Sequence, residues 1–342
     1  MTFTKSNIAV ADVFGVHTPK PITAAKFDNS RPGIPCGMDN FYFDPALTTA
    51  VCGFLDNPRG DALFIFGATG CGKSETVRQI CARLNYPLTE VTGSGTTEMA
   101  DLLGHLTLDN GTMKFKEGPL TSALKKGHVF VLNEMDLMKS SELMLINDLL
   151  SSGQITISDG DGDMVVKAHP DFRFIATGNS CGCGDENGNY IGVRVQNMAF
   201  MDRFRLVGAS YMPLVEEVKI IKKEFPELPV NCVRVLCRTA KAIRRISDGF
   251  AGENMSMTVS TRSLKRWAGL CLDFAKMGDG EPVTSAMLQS FGHRATESER
   301  AAIKRIIEEE EARIKTGASD DEEEFKAFYD QKEIALINGA SE

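Results

Sequence analysis

No run of about 18 apolar residues occurs in the 342-residue chain, so no transmembrane helix is expected. The opening stretch, MTFTKSNIAVADVFG, lacks a basic segment, a long apolar core and a small-residue cleavage site, so no secretory leader is expected. Cationic excess is absent too. The formal net charge is −8, which disfavours nonspecific nucleic-acid binding through many phosphate contacts. The cysteines number nine, an odd count in a long chain, which argues against a disulfide framework and for a reducing cytoplasm. Cys181 and Cys183 form a lone C-x-C with no matching pair or histidine cluster, and read as a glycine-rich turn rather than a zinc site. No repeat with a period of about 20–50 residues is visible.

What is present begins as an extended lead-in over residues 1–45, rich in Pro, Asn and Gly. From Asp61 the pattern becomes that of an alternating α/β sheet. DALFIF is a buried strand ending at glycine. Val77, Ile80, Cys81 and Leu84 then mark one helical face. Further strands are expected at 87–92, 128–134, 171–179 and 203–210, with a helix through Leu143, Ile146 and Leu150. Two segments, 104–118 and 153–170, alternate around turn residues and predict inserted β-hairpins. The aspartates of the second lack the closing glutamate and flanking helices of an EF-hand calcium loop. Beyond Pro213 the strands stop. The expected organisation is a nucleotide-binding α/β domain over 46–212, a helical lid over 213–300 and an acidic tail over 301–342. The run EEEEARIKTGASDDEEEF reads as a solvated helix or arm.

The chemistry is concentrated in Gly67-Ala68-Thr69-Gly70-Cys71-Gly72-Lys73-Ser74, followed by Glu75. This fits G-x-x-x-x-G-K-[ST] in full, between a strand and an amphipathic helix. Glycines let backbone N–H groups turn toward phosphates, and the helix N-terminus adds partial positive charge. Lys73 is placed on the terminal phosphates and Ser74 on Mg²⁺. About 60 residues on, VFVLNE delivers Asn133 and Glu134 at a strand end, where α/β sheets place their chemistry. Glu134 is the candidate for polarising the attacking water. Asn133 stands where an aspartate usually assists the metal. Asn179, in IATGNS, could orient the same water or touch the γ-phosphate. Arg203, with Arg205 in reserve, is the candidate finger reaching a neighbour's nucleotide. Arg262, at the start of a lid helix, is a further candidate for phosphate.

Loop, acidic strand, polar strand end, arginine and lid arginine, in this order, resemble an AAA+ ATPase. The stretch HPDFRFIATGNSCGCGDENGNYIGVRVQNMAFMDRF is similar to the core of the MoxR/CobS-type branch, through its HP-x-FR lead, its G-x-GD-x-x-G-x-Y turn and its MDR ending. ARLNYPL at 82–88, the F-x-x-GPL at 115–120 and TRS at 261–263 echo the same branch, so the similarity runs from about residue 40 to 270. It implies a P-loop AAA+ three-layer fold with two inserted hairpins facing the ring face or pore. It also implies ATP and Mg²⁺ at the boundaries of a homo-oligomeric, hexameric ring, and a partner protein carrying a von Willebrand factor A domain. In CobS-like members, small subunits of aerobic cobaltochelatase, the ring powers cobalt insertion by a separate large chelatase subunit. Asn133 and the acidic extension depart from the pattern.

Four functions are therefore in play. The first is an ATP-driven motor that remodels or activates a partner complex. The second is the cobaltochelatase ATPase subunit itself. A nucleotide-gated scaffold with weak hydrolysis is motivated by Asn133. A nucleic-acid motor is motivated only by the basic stripe RVLCRTAKAIRR at 234–245.

Overall fold

A computed structural model describes residues 4–28, 31–109, 112–158, 162–184, 190, 192–248 and 255–316. The hairpin tips at 110–111 and 159–161, the centre of the G-x-GD-x-x-G-x-Y turn and the tail from 317 lie outside the described residues. The chain divides into two compact units, with the boundary between Ser210 and Tyr211.

The first unit is built on five parallel strands: β3 (Ala62–Gly67), β4 (Leu88–Thr92), β7 (Val129–Asn133), β10 (Arg173–Gly178) and β11 (Phe204–Ala209), in spatial order β11-β3-β10-β7-β4. Strand side chains alternate between two cores, as a period of two requires. Phe64, Phe130, Leu132, Phe174 and Ala176 enter one core. Leu63, Ile65, Val129, Val131 and Ile175 enter the other. Each such large side chain, fully buried, contributes about 1.5–3 kcal/mol. The second face is covered by α2 (Pro45–Asp56) and α3 (Lys73–Leu84). Helix α2 starts where Asp44 Oδ1 accepts from Leu47 N at 2.8 Å, with Pro45 at the first helical position. The first face carries α4 (Met99–Leu103), α5 (Pro119–Lys126), α6 (Ser140–Leu143), α7 (Asn147–Ser152) and α8 (Met198–Met201). The helix expected through Leu143, Ile146 and Leu150 is broken. A 3₁₀ turn at Met144–Ile146 separates α6 from α7, and all three residues are buried nonetheless.

Both expected insertions are antiparallel pairs, β5 (Gly104–Asp109) with β6 (Thr112–Glu117), and β8 (Gln154–Ser158) with β9 (Asp163–Lys167). Leu106 pairs with Phe115 and Leu108 with Met113, so one face of the first hairpin is apolar. Leu108 and Met113 are exposed there. The GPL motif closes its base. A Cβ on Gly118 would stand 2.3 Å from the Leu102 carbonyl oxygen.

The lead-in corrects the sequence expectation. Residues 1–45 are not merely extended chain. β1 (Lys5–Ala9) pairs antiparallel with β2 (Thr23–Phe27), with α1 (Val10–Phe14) between them. Val10, Phe14, Val16, Ala24 and Phe27 belong to the same core as Ile80 and Val131. Polar stitches fix the segment: Lys5 and Arg31 both pair with Asp171, and Arg31 donates to the Lys126 carbonyl at 2.9 Å. The HP-x-FR motif serves this seam. Arg173 donates to the Leu55 carbonyl at 2.9 Å, and Tyr86 to the Asp171 carbonyl.

The second unit is helical among its described residues: α9 (Leu214–Glu224), α10 (Val230–Ser247), α11 (Thr261–Lys276), α12 (Pro282–Ser290) and α13 (Glu297–Thr316). Trp267 and Phe291 meet edge-on at its centre, with ring centroids 5.2 Å apart. The helix expected as one reading of the acidic run is present over its described part, and the helical unit extends past residue 300. Helix α13 carries that part, burying Ile303 and Ile307 against α10 and capped by reciprocal Thr296–Glu299 bonds. Two cations of the basic stripe of α10 are spent internally. Arg238 pairs with buried Glu310, and Arg244 grips Glu217 through two bonds of 2.8 and 2.9 Å.

Candidate active site at the carboxyl ends of three strands

Strands β3, β10 and β7 lie side by side and end together, and their last residues build the site. After β3 the chain turns through Gly67, Gly70 and Gly72, with φ of 151°, 73° and 98°. Gly67 has a second constraint: a Cβ there would stand 2.1 Å from the Ala209 carbonyl oxygen on the adjoining strand. Gly72 caps α3 in a left-handed conformation, so the helix starts at Lys73 with its first N–H groups facing the loop. Lys73 is 8% exposed and curls back, donating to the Gly67 carbonyl at 2.8 Å, the Ala68 carbonyl at 3.0 Å and Asn179 Oδ1 at 3.0 Å.

Strand β7 supplies the next pair. Asn133 Oδ1 accepts from Ser74 Oγ and, at 3.1 Å, from Thr177 Oγ1 of β10. Glu134 adopts a left-handed conformation at φ 55°, a rare state for a residue with a side chain that costs about 1–2 kcal/mol. Such strain collects at functional positions. Its Oε2 accepts from Asn179 Nδ2 at 2.8 Å. Asn179 is therefore central: its amide nitrogen meets Glu134, while its oxygen meets Lys73 and, at 3.3 Å, Thr69 Oγ1. The Tyr190 hydroxyl accepts from Thr69 N at 3.3 Å, placing the end of the G-x-GD-x-x-G-x-Y turn over the loop.

The sequence-predicted residues thus fall into two adjoining bonded groups, Thr69, Lys73 and Glu134 around Asn179, and Ser74 with Asn133. Cys71 Sγ lies 3.7 Å from the Ala209 carbonyl oxygen. Glu75 engages Arg78 at 2.7 Å and Gln79 at 2.8 Å along α3. Arg203 sits apart. Its carbonyl accepts from Ala62 N at 3.0 Å, at the start of β3, whereas Gly67 ends that strand. Five residue steps of strand separate the two, a span of about 17 Å. Arg203 instead donates to Ser151 Oγ at 2.8 Å and to the Ala199 carbonyl. Arg205 is held by Asp61 at 2.7 Å and the Pro58 carbonyl at 2.5 Å. In the helical unit, Arg262 is exposed in the first turn of α11, which Thr261 anchors to Glu217 at 3.0 Å.

Sequence reasoning missed Asp136, Thr177 and Tyr190. Asp136 is fully buried two residues beyond Glu134, and burial pushes its carboxyl above the usual range, against main-chain bonds from Asn179 and Ser180 that pull it down. Its signal was the acid spacing in NEMD. All nine cysteines are free, and among the described residues no group of three or more His, Cys, Asp or Glu could hold a metal ion.

Two family descriptions match the chain one after the other: "AAA domain (dynein-related subfamily)" over residues 62–208, and "CbbQ/NirQ/NorQ C-terminal" over 217–310. Together they take in more than two thirds of it. The chain belongs to the AAA+ ATPases, in their MoxR/CobS-type branch. It is similar to the aerobic cobaltochelatase subunit CobS of Sinorhizobium sp, 29% identical over 309 residues, covering 87% of this chain and 88% of that one. It is similar to protein NorQ of Paracoccus denitrificans, 28% identical over 60% of this chain and 76% of that one. Mouse von Willebrand factor A domain-containing protein 8 is 22% identical over 75% of this chain, which spans 14% of its length. The five-stranded parallel sheet, phosphate loop and separate helical unit are those of this family, so the protein binds nucleotide and is an ATPase. No described helix is long and apolar enough to cross a membrane.

Proposed function

We propose that this AAA+ ATPase works as a cytoplasmic hexameric ring that hydrolyses ATP between subunits to remodel or activate a partner protein complex. The carrying observation is the bonded chain Lys73–Asn179–Glu134, which joins a phosphate-binding cation to a carboxylate through one amide. In this reading Gly67, Ala68, Thr69, Gly70, Cys71, Gly72 and Glu75 shape or support the loop, and Lys73 moves from its carbonyl partners onto the β- and γ-phosphates. Glu134 orients the water for in-line attack. Asn179 fixes the Glu134 carboxylate, and the Lys73 ammonium is the group that meets the charge developing on the γ-phosphate.

The oxygens of Ser74 and Asn133 already touch, and both are hard donors suited to magnesium. These two residues would hold Mg²⁺, which supplies charge neutralisation on the phosphates. Asn133 brings no charge of its own. Arg203 is assigned to a neighbour's γ-phosphate, supported by its separation of about 17 Å from the loop of its own chain. Arg262 is assigned to nucleotide phosphate on the family pattern. The exposed Leu108 and Met113 of the first hairpin give an apolar surface for a partner. The likeness to a von Willebrand factor A domain-containing protein supports a partner of that class.

A second reading, the cobaltochelatase ATPase subunit acting with a large chelatase subunit, is favoured by the near full-length match to CobS. Trapping the ring with ATP as Glu134→Gln in its native cell, and identifying what is retained, separates the two. A large chelatase subunit selects the second reading, another complex the first. Steady-state phosphate release by the parent ring, with that variant as blank, tests hydrolysis against the weakly hydrolysing scaffold.

A further inference from the structure

Asp136 has no part in the assignment above, yet it is the most deeply buried acid of the site. It stands in a 3₁₀ turn, Met135–Leu137, directly after Glu134. Its Oδ2 accepts from two consecutive main-chain N–H groups, Asn179 at 2.7 Å and Ser180 at 3.1 Å. Its Oδ1 is buried without a hydrogen-bond partner among the described residues. Burying a carboxylate with half its acceptor capacity unused is costly, so stability alone is a poor account of it. Its own carbonyl accepts from Arg194 N at 2.8 Å. One residue thus holds the main chain at Asn179–Ser180 and again at Arg194. The neighbouring turn continues the seam, with Ser140 Oγ bonding to Gln196 Oε1 at 3.2 Å and to Asn197 N at 3.1 Å. The fit is close: a Cβ on Gly178 would lie 2.9 Å from Asp136 Oδ2 and 2.6 Å from Phe64 Cζ.

We infer that Asp136 is a positioning residue for ATP hydrolysis, fixing the backbone of Asn179 so that its side chain stays between Lys73, Thr69 and Glu134. The inference rests on the proposed roles of Glu134 and Asn179. The 3₁₀ turn aims Glu134 on one side and, through the Asp136 carboxylate, aims Asn179 on the other. A single rigid turn therefore sets the mutual geometry of the two groups that handle the water. Loss of the grip lets Asn179 drift, and a misplacement of about 1 Å at such a site costs about 10²-fold in rate.

The test uses the full chain and compares Asp136→Ala, Asp136→Asn, Asn179→Ala, the Asp136→Ala/Asn179→Ala pair and Glu134→Gln. A fluorescent ATP analogue gives Kd, and phosphate release gives kcat. Asp136→Ala should lower kcat by about 30- to 100-fold while leaving Kd within about threefold. Asp136→Asn keeps an oxygen that can accept both N–H groups and should stay within about threefold of the parent kcat. The double variant should be no slower than Asn179→Ala by more than about twofold, because the aspartate acts through the asparagine. If Asp136→Ala does not fold, Asp136→Val, which withdraws both acceptor oxygens while filling the space, takes its place. Parent-like turnover in Asp136→Ala, an equal loss in Asp136→Asn, or multiplied losses in the pair would each overturn the inference. Glu134→Gln keeps the two failures apart. If it hydrolyses at the parent rate, the assignment of Glu134 fails whatever Asp136 does. If it is inert while Asp136→Ala is active, only the positioning role falls.

Discussion

The Asn179 side-chain amide donates to Glu134 Oε2 at 2.8 Å and accepts from Lys73 Nζ at 3.0 Å, so the ends of β10, β7 and the phosphate loop are joined by one side chain. The cation and carboxylate of the site are thereby held in fixed relation through a single amide, as a preorganised site requires.

Lys73→Ala removes the cation from the phosphate end of this link. Charge-assisted contacts contribute about 1.5–3 kcal/mol each, so two of them predict a loss of nucleotide affinity of roughly 100-fold or more. Titration with a fluorescent nucleotide measures it. Affinity within threefold of the parent would remove Lys73 from the phosphate site.

Arg203→Ala should leave nucleotide affinity near that of the parent and lower ring-dependent turnover by about 10³-fold. Mixing this variant with Lys73→Ala chains should restore part of the turnover. One chain then supplies an intact loop and the other an intact finger. Arg205→Ala, which breaks the pair with Asp61, should lower thermal stability and spare turnover; the opposite pattern would exchange the two assignments.

Asn133→Asp returns a negative charge beside Ser74 Oγ. The magnesium concentration for half-maximal turnover should fall by about tenfold, consistent with one added charge a few ångströms from a divalent ion. Magnesium titrations of phosphate release decide this. An unchanged midpoint would mean that Asn133 does not face the metal.

His128 is held neutral. Burial, with Arg31 and Lys126 nearby, lowers its pKa from 6.5 to about 4. Between those values the unfolded chain binds the proton and the folded chain does not. Its contribution to stability is therefore complete above pH 6.5 and is lost as pH falls toward 4. His128→Gln should flatten that part of the stability profile in denaturant titrations run across the window. An equally steep decline in the variant would assign the pH dependence to other groups.

Much of the catalytic side could be read from the sequence because it is local. A glycine-lysine-serine loop between a strand and a helix, and polar residues closing apolar strands, declare their places within a dozen residues. Asn133, Glu134 and Asn179 fell together for that reason. Asp136 did not, since an acid after a strand looks the same whether it caps a turn in solvent or grips a backbone 43 residues away. The lead-in failed differently. Its prolines and glycines signal turns, while its pairing and burial depend on Asp171 and on the face of α3, which no window around residue 10 contains. The broken helix at 144–146 kept its apolar spacing through a 3₁₀ turn, so periodicity gave its burial but not its shape.

The seam between the lead-in and Asp171 has a consequence for biosynthesis. Lys5 meets its partner across 166 residues of chain, and Arg31 donates to carbonyls some 95 residues downstream. During synthesis the lead-in is therefore not fully seated until Asp171, at the entrance to the fourth strand of the parallel sheet, has been made. A nascent chain stalled before that strand would hold Val10, Phe14 and Phe27 less firmly, and protection of residues 4–28 from protease should rise once residue 173 and its neighbours have emerged.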